Sequence, residues 1–168
     1  MSEGSSTESS LYADVNTTMM WLKNMGLTGD RLVLYGFSLG TSAATELTAN
    51  PTVLTPMKLI LEAPFASVEK MQQDANAISV PRAMYADIVL DNAEEIKKVN
   101  QPFLWIHGID DSFVNISNGE LVYANHPGQE NITKFARRIP EGEHSTVPRA
   151  MGSNEYINLV ADFIAGAL

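Results

Sequence analysis

Between Arg31 and Gly40 the chain passes from a short apolar run into a serine with a glycine two residues to either side, Gly36-Phe37-Ser38-Leu39-Gly40. Arg31 to Tyr35 has the length and composition of a buried strand, bounded by Gly29 and Asp30 in front and Gly36 behind. From Gly40 to Ala49 the residues are those of a helix, which must stop before Pro51. A strand, a tight turn and a helix in direct succession form the context that G-x-S-x-G needs to act as a nucleophile elbow. Such a turn is expected to require glycine at both Gly36 and Gly40, where a Cβ would collide as the strand folds back against the helix. It lifts Ser38 Oγ above the carboxyl end of the strand and leaves the Leu39 N–H facing the space in front of it. An exposed hydroxyl beside a free backbone donor is the beginning of an acyl-transfer site.

A serine hydroxyl is a weak nucleophile and needs an imidazole to take its proton, and the imidazole needs a carboxylate to fix its tautomer. The chain has three histidines. His107 closes the apolar run from Pro102 to Ile106 and reads as a packing residue at a strand end with a satisfied hydrogen bond. His126 stands before Pro127 and reads as a polar helix terminus. His144 follows the strand-like segment Thr133 to Ile139, on a loop at the carboxyl end of a strand, where open α/β sheets assemble their sites. It is the expected base. Asp110 and Asp111 leave the end of the Pro102 to Ile106 strand on the same side of the sheet, and either suits the acid. The order serine, aspartate, histidine is that of triad partners in α/β-hydrolases.

Five segments then resemble an α/β-hydrolase: residues 11–22, the turn around Ser38, residues 59–65, residues 102–111 and Gly142-Glu143-His144. They are most similar to the serine-aminopeptidase-like and Bem46-like hydrolases, which include esterases, thioesterases and depalmitoylases. The resemblance implies Ser38 as nucleophile and His144 as base. In that family the acid stands three residues after the strand-ending glycine, so counting from Gly108 selects Asp111 and leaves Asp110 as a turn residue. The family also carries four strands before the elbow and a loop that supplies a second oxyanion donor. About thirty residues precede the elbow here, and residues 1–4 resemble an interior stretch of the family, so the resemblance implies a start inside a longer domain.

The remaining segments alternate. Leu11, Val15, Met19 and Leu22 share a helical face, with Ser9 or Ser10 as N-cap and Gly26 as stop, after a polar, mobile stretch from Ser2. Strands are expected at 31–36, 57–62, 102–107 and 132–139, and helices at 40–49, 117–125 and 153–166. The expected class is α/β: a truncated α/β-hydrolase fold with a mainly parallel sheet of about four strands flanked by helices. The whole chain, 1–168, forms one such domain, and residues 66–98 form a short cap-like insertion holding Met71, Ile78, Met84, Tyr85, Ile88 and Leu90. Phe37, Phe65 and Phe113 are expected to line the substrate pocket.

Composition narrows the partners. An apolar content of 45% suits one globular core, and a formal net charge of −9 argues against nucleic acid or an anionic membrane. With no cysteine there is no disulfide and no thiolate chemistry. No apolar run reaches membrane-spanning length, nothing at the N-terminus resembles a signal peptide, and a cytoplasmic location is expected. No metal-ligand cluster or cofactor motif is visible; Lys97-Lys98 and Arg137-Arg138 read as solvated pairs. The expected activity is hydrolysis of a small carboxylic ester or thioester through an acyl-enzyme on Ser38. It would be weakened if Leu39 supplies the one oxyanion donor. The alternative is a non-catalytic or weakly active form. In either case an apolar row from Leu32 to Tyr35 on an open sheet edge is expected to drive homo-oligomer formation.

Overall fold

In a computed structural model, which describes residues 7–75 and 88–168, four strands form one sheet in the order β1-β2-β3-β4. They are β1 (Val33–Phe37), β2 (Lys58–Glu62), β3 (Phe103–Gly108) and β4 (Lys134–Ile139), and every neighbouring pair is parallel. Seven α-helices connect and flank them among the described residues: α1 (Glu8–Asn24), α2 (Gly40–Ala49), α3 (Val68–Ala75), α4 (Asn92–Glu95), α5 (Ile116–Asn125), α6 (Val147–Met151) and α7 (Ser153–Ala165). This is the sheet-and-helix architecture expected of the sequence, with α3 and α4 in the insertion between β2 and β3. Of the insertion's apolar residues, Ile78, Met84 and Tyr85 lie outside the described residues, as does the stretch from Ser2 to Ser6.

The core follows from strand alternation. Leu59, Leu61, Phe103 and Trp105 point to one face of the sheet, where they pack with Ala44 of α2 and Val122 and Tyr123 of α5. Ile60, Leu104 and Ile106 point to the other, against Leu159 and Phe163 of α7. With both faces covered, β2 and β3 are buried along their whole length, as continuous apolar runs in parallel sheets usually are. The same alternation corrects the expected apolar row on β1. Leu32 is buried with Met19 and Leu47, Leu34 turns toward α2, and Val33 packs on the α7 face. Tyr35 is partly exposed, and its hydroxyl bonds to the buried Glu62 carboxylate and to Tyr156 of α7. Lys58 reaches the far end of α7, where its ammonium donates to the carbonyls of Phe163 and Ile164 at 2.6 and 2.9 Å and caps the last turn.

Two helix starts differ from expectation. Thr7, in place of Ser9 or Ser10, caps α1: its hydroxyl accepts from the Ser10 N–H, and Ser10 Oγ accepts in return from the Thr7 N–H. The earlier start lets Glu8 of the first turn accept from the Val89 and Leu90 N–H groups, tying α1 to the insertion. Helix α6, with Pro148 in its first turn, was not anticipated. The basic pairs are engaged as well as solvated. Lys97 and Lys98 pair with Glu94 and Glu95, and Arg138 holds Glu120 through two bonds.

His126 ends α5, as its position before Pro127 implied. Its Nε2–H donates to the Gln101 carbonyl at 3.2 Å, and Nδ1 accepts from the Gly128 N–H at 3.0 Å. Burial, at 2% exposure, together with Lys134 nearby, pushes its pKa down to about 4 despite the Gln101 carbonyl. Above pH 7 the ring is neutral whether the chain is folded or not, so it costs nothing. As pH falls through about 6.5 the unfolded chain takes up a proton that the folded one refuses until about 4. The site should therefore remove up to about 3 kcal/mol of stability between pH 7 and pH 4. Urea unfolding across that range should be steeper in pH for the wild type than for His126→Asn; equal slopes would contradict the assignment.

Candidate active site

The loops that follow β1, β3 and β4 meet at the carboxyl edge of the sheet, the end toward which parallel strands direct their loops. The first carries Ser38. Its backbone has φ 51°, a left-handed conformation that costs a non-glycine residue energy. The surrounding backbone holds it there: the Ser38 N–H donates to the Glu62 carbonyl at 3.0 Å, and the Ser38 carbonyl accepts from the Thr41 N–H at 3.0 Å. Gly36 is required by space, since a Cβ there would lie 2.6 Å from the Gly40 carbonyl oxygen and 2.7 Å from Thr41 Cα. Gly40 is not so constrained; a Cβ there would meet nothing within 4 Å. The expectation that both glycines answer a collision is thus corrected for Gly40.

Asp111 sits on the loop after β3, its side chain buried. Oδ1 accepts from the Phe113 and Val114 N–H groups at 2.9 and 2.8 Å, which locks the carboxylate in one orientation. Burial pushes its pKa up, but bonds from His107, the Val114 N–H and His144 outweigh that and hold it below the usual carboxylate range. Asp110, its neighbour, is exposed, and its N–H donates to the Gly142 carbonyl at 3.1 Å.

His144 stands on the loop after β4. Its Nδ1 is 2.8 Å from Asp111 Oδ2 and its Nε2 is 2.9 Å from Ser38 Oγ. Because the carboxylate only accepts, Nδ1 carries the hydrogen, which leaves Nε2 free to accept from the serine hydroxyl. The loop is braced from both ends, with Thr146 Oγ1 accepting from the Glu143 N–H and Ser112 Oγ donating to the Glu143 carboxylate. The two loops also touch through their backbones: an added Cβ on Gly108 would fall 2.0 Å from the Gly142 carbonyl oxygen. The chain of polar atoms from Asp111 through His144 to Ser38 can move a proton off the hydroxyl and leave an oxygen nucleophile.

Two aromatic rings flank the imidazole. Phe37 and Phe113 lie with ring centroids 5.1 and 4.9 Å from that of His144, and both are partly exposed. Phe65 does not join them at the surface. It is 3% exposed and packs with Leu90 and Val114 in the core, where Asn92 of α4 donates to its carbonyl. Leu39 is 58% exposed. As the residue before α2, its N–H belongs to the first turn, whose donors have no partner within the helix. Its side chain, with Leu11, Ile88 and Leu90, borders an apolar cavity of about 310 Å³. Met71 of the insertion packs against the cluster of Phe65, Leu90 and Val114 and also borders, with Asp111, Ser112 and Phe113, a cavity of about 290 Å³.

The sequence reading gives His107 a packing place with a satisfied hydrogen bond but does not single out Asp111 as a neighbour. His107 is fully buried and its Nε2 lies 3.3 Å from Asp111 Oδ2, a contact that only the fold brings about. Among the described residues no group of three or more acidic, histidine or cysteine side chains is placed to hold a metal ion, and no helix is long and apolar enough to cross a membrane.

No protein-family profile matches the chain. Human alpha/beta hydrolase domain-containing protein 17B is 29% identical over 123 residues, which are 73% of this chain and 40% of that protein. The Caenorhabditis elegans alpha/beta hydrolase domain-containing protein aho-3 is 28% identical over 127 residues, 75% of this chain and 36% of that one. The chain thus spans about two fifths of the length of the curated relatives it matches. Among solved structures, a hydrolase from Pseudomonas aeruginosa superposes with a TM-score of 0.66 at 18% identity, covering 98% of this chain and 74% of that one. The esterase domain of a Rhodothermus marinus protein gives 0.63 at 14% identity, covering 89% and 67%. With these likenesses, the parallel sheet and the three converging loops give one conclusion: the chain has the α/β-hydrolase fold and is similar in sequence to α/β-hydrolase domain-containing proteins.

Proposed function

We propose that the protein is a serine hydrolase that cleaves carboxylic esters or thioesters through an acyl-enzyme on Ser38. The observation that carries this reading is the unbroken path from Asp111 Oδ2 to His144 Nδ1 at 2.8 Å and from His144 Nε2 to Ser38 Oγ at 2.9 Å. Ser38 Oγ attacks the acyl carbonyl while His144 Nε2 takes its proton, and Asp111 holds the resulting imidazolium. The carbonyl oxygen, now an anion, faces the Leu39 N–H. As the intermediate collapses, His144 returns the proton to the departing alkoxide or thiolate. Water then attacks the acyl-enzyme by the same route and frees the acid. The likeness to an esterase domain supports this class of substrate. Phe37 and Phe113 form the walls beside the reacting bond, Phe65 lies in the core with Leu90 and Val114, and the cavity beside Leu39 is the natural place for a short acyl chain. We also propose the finer kinship with serine-aminopeptidase-like and Bem46-like hydrolases, on the segments that carry it.

Ser38→Ala should remove hydrolysis of short p-nitrophenyl esters and labelling by a fluorophosphonate, with losses of about 10³-fold or more, and leave the circular dichroism spectrum unchanged. Labelling that persists in this variant refutes the nucleophile.

The two aspartates separate in the same assay. Asp111→Asn should favour the wrong imidazole tautomer and lower kcat by about 10⁴-fold, while Asp110→Asn costs little. A reversed order would assign the acid to Asp110.

One observation favours self-association as a second reading. Among the described residues β1 is paired on one side alone, and Tyr35, Phe37 and Leu39 along and beyond it are exposed. A two-fold homodimer through this edge is the expected form, with or without strong catalysis. Light scattering at low micromolar concentration should give twice the monomer mass; a stable monomer excludes this reading.

A further inference from the structure

Beneath Asp111 lies a second buried imidazole whose hydrogen placement is dictated by its partners. Trp105 Nε1 lies 3.3 Å from His107 Nδ1, and the indole nitrogen is a donor only. Nδ1 must therefore accept, which leaves the ring hydrogen on Nε2. That nitrogen lies 2.9 Å from the Val114 carbonyl oxygen and 3.3 Å from Asp111 Oδ2, and both of these only accept. The assignment closes without conflict: Trp105 donates to His107, and the one His107 N–H donates to the Val114 carbonyl while facing, at 3.3 Å, the same carboxylate oxygen that receives His144 Nδ1–H.

The neighbourhood is shaped to permit this. Gly119 of α5 lies against the pair, and a Cβ there would stand 2.4 Å from Trp105 Nε1 and 2.5 Å from His107 Nδ1. Trp105 and His107 are both fully buried. The charged and titratable groups around them are few. Arg138 lies over the Trp105 ring at 4.7 Å and is held by Glu120, Tyr123 packs on the same ring, and His144 stands across the carboxylate.

We propose that His107 is a positioning residue for the hydrolase reaction: fixed as the Nε2–H tautomer by Trp105 and given room by Gly119, it anchors Asp111 Oδ2 and its loop for the bond to His144. The proposal rests on the assignment of Ser38, Asp111 and His144 to catalysis. Its physical content is a competition. One carboxylate oxygen faces two imidazole N–H groups, so His107 restrains both where Asp111 sits and how much of its charge is directed at His144. Hydrogen bonds to a charged group in a buried site are among the stronger ones, and their loss moves both geometry and proton balance.

Two measurements on the whole chain test it. Long-range proton–nitrogen correlation spectra of the ¹⁵N-labelled wild type should find His107 as the Nε2–H tautomer with an unprotonated Nδ1. A Nδ1–H tautomer, or rapid exchange between the two, overturns the proposal whether or not any substrate is turned over. The second is the pH profile of fluorophosphonate labelling for the wild type, His107→Leu, His107→Gln and Gly119→Ala, with Ser38→Ala as control. His107→Leu should label about tenfold more slowly or worse. Its acid limb should move to higher pH, because the carboxylate charge left to His144 alone favours the imidazolium. His107→Gln, whose amide can still donate, should recover most of the rate and the wild-type profile. Gly119→Ala should fall between them, as its methyl group pushes the pair apart without touching Asp111. Folded variants that match the wild type in rate and pH profile overturn the positioning role and leave the serine hydrolase reading intact. Labelling of Ser38→Ala like the wild type overturns both.

Discussion

The close approach of Gly108 and Gly142 is the constraint on which the site depends. Gly108 ends β3 and Gly142 lies just beyond β4, and a side chain at Gly108 would overlap the Gly142 carbonyl. Because the backbones touch, the acid three residues after Gly108 and the histidine two residues after Gly142 are held within hydrogen-bond reach. The parallel register brings this about. Gly108 pairs with Ile139 across the β3–β4 ladder, so both strands deliver their loops at the same level of the sheet. Phe37, the last residue of β1, pairs with Glu62 at the end of the neighbouring β2, and the Ser38 N–H continues the ladder to the Glu62 carbonyl. Ser38, Asp111 and His144 are thus placed by strand ends and backbone contacts rather than by long, flexible side chains.

The face of the sheet away from α2 and α5 contributes as well. Glu62 takes hydroxyl bonds from Tyr35 and Tyr156 in a buried setting, and burial together with that carboxylate pushes the ionisation of both phenols well above the ordinary range. Both stay protonated and remain donors. They tie β1 and β2 to the first turns of α7, the helix that follows the His144 loop and α6. Lys58 fastens the other end of α7 to β2. Ser38 and His144 therefore belong to segments anchored to the same pair of strands.

Much of this was legible in the sequence, and the reasons are local. β1, β2 and β3 are largely apolar segments, β4 alternates Phe135 and Ile139 with basic residues, and Ser38 and His144 each follow a strand, so order and flanks sufficed to single them out. What escaped depended on tertiary contact. The cap of α1, expected at Ser9 or Ser10, stands at Thr7, and the earlier start brings Glu8 to the Val89 and Leu90 N–H groups, a contact distant in sequence. Phe65 follows the carboxyl end of β2, but its side chain turns into the core, where Asn92 donates to its carbonyl. His107 reads from sequence as a hydrogen-bonded packing residue, but its nearness to Asp111 was not legible, because only the turn after β3 brings the carboxylate and the Val114 carbonyl to the ring. Gly40 matches the motif and yet has open space around its Cα. A pattern letter and a steric need are different things.

The central claim is that Ser38 is the nucleophile of an acyl-transfer site. Incubation of the wild-type protein with a fluorophosphonate, followed by proteolysis and mass spectrometry of the adduct, tests it most directly. The account predicts one modified residue, Ser38, and loss of the adduct when the protein is first unfolded. An adduct at another serine, or labelling equal in the unfolded chain, would contradict it.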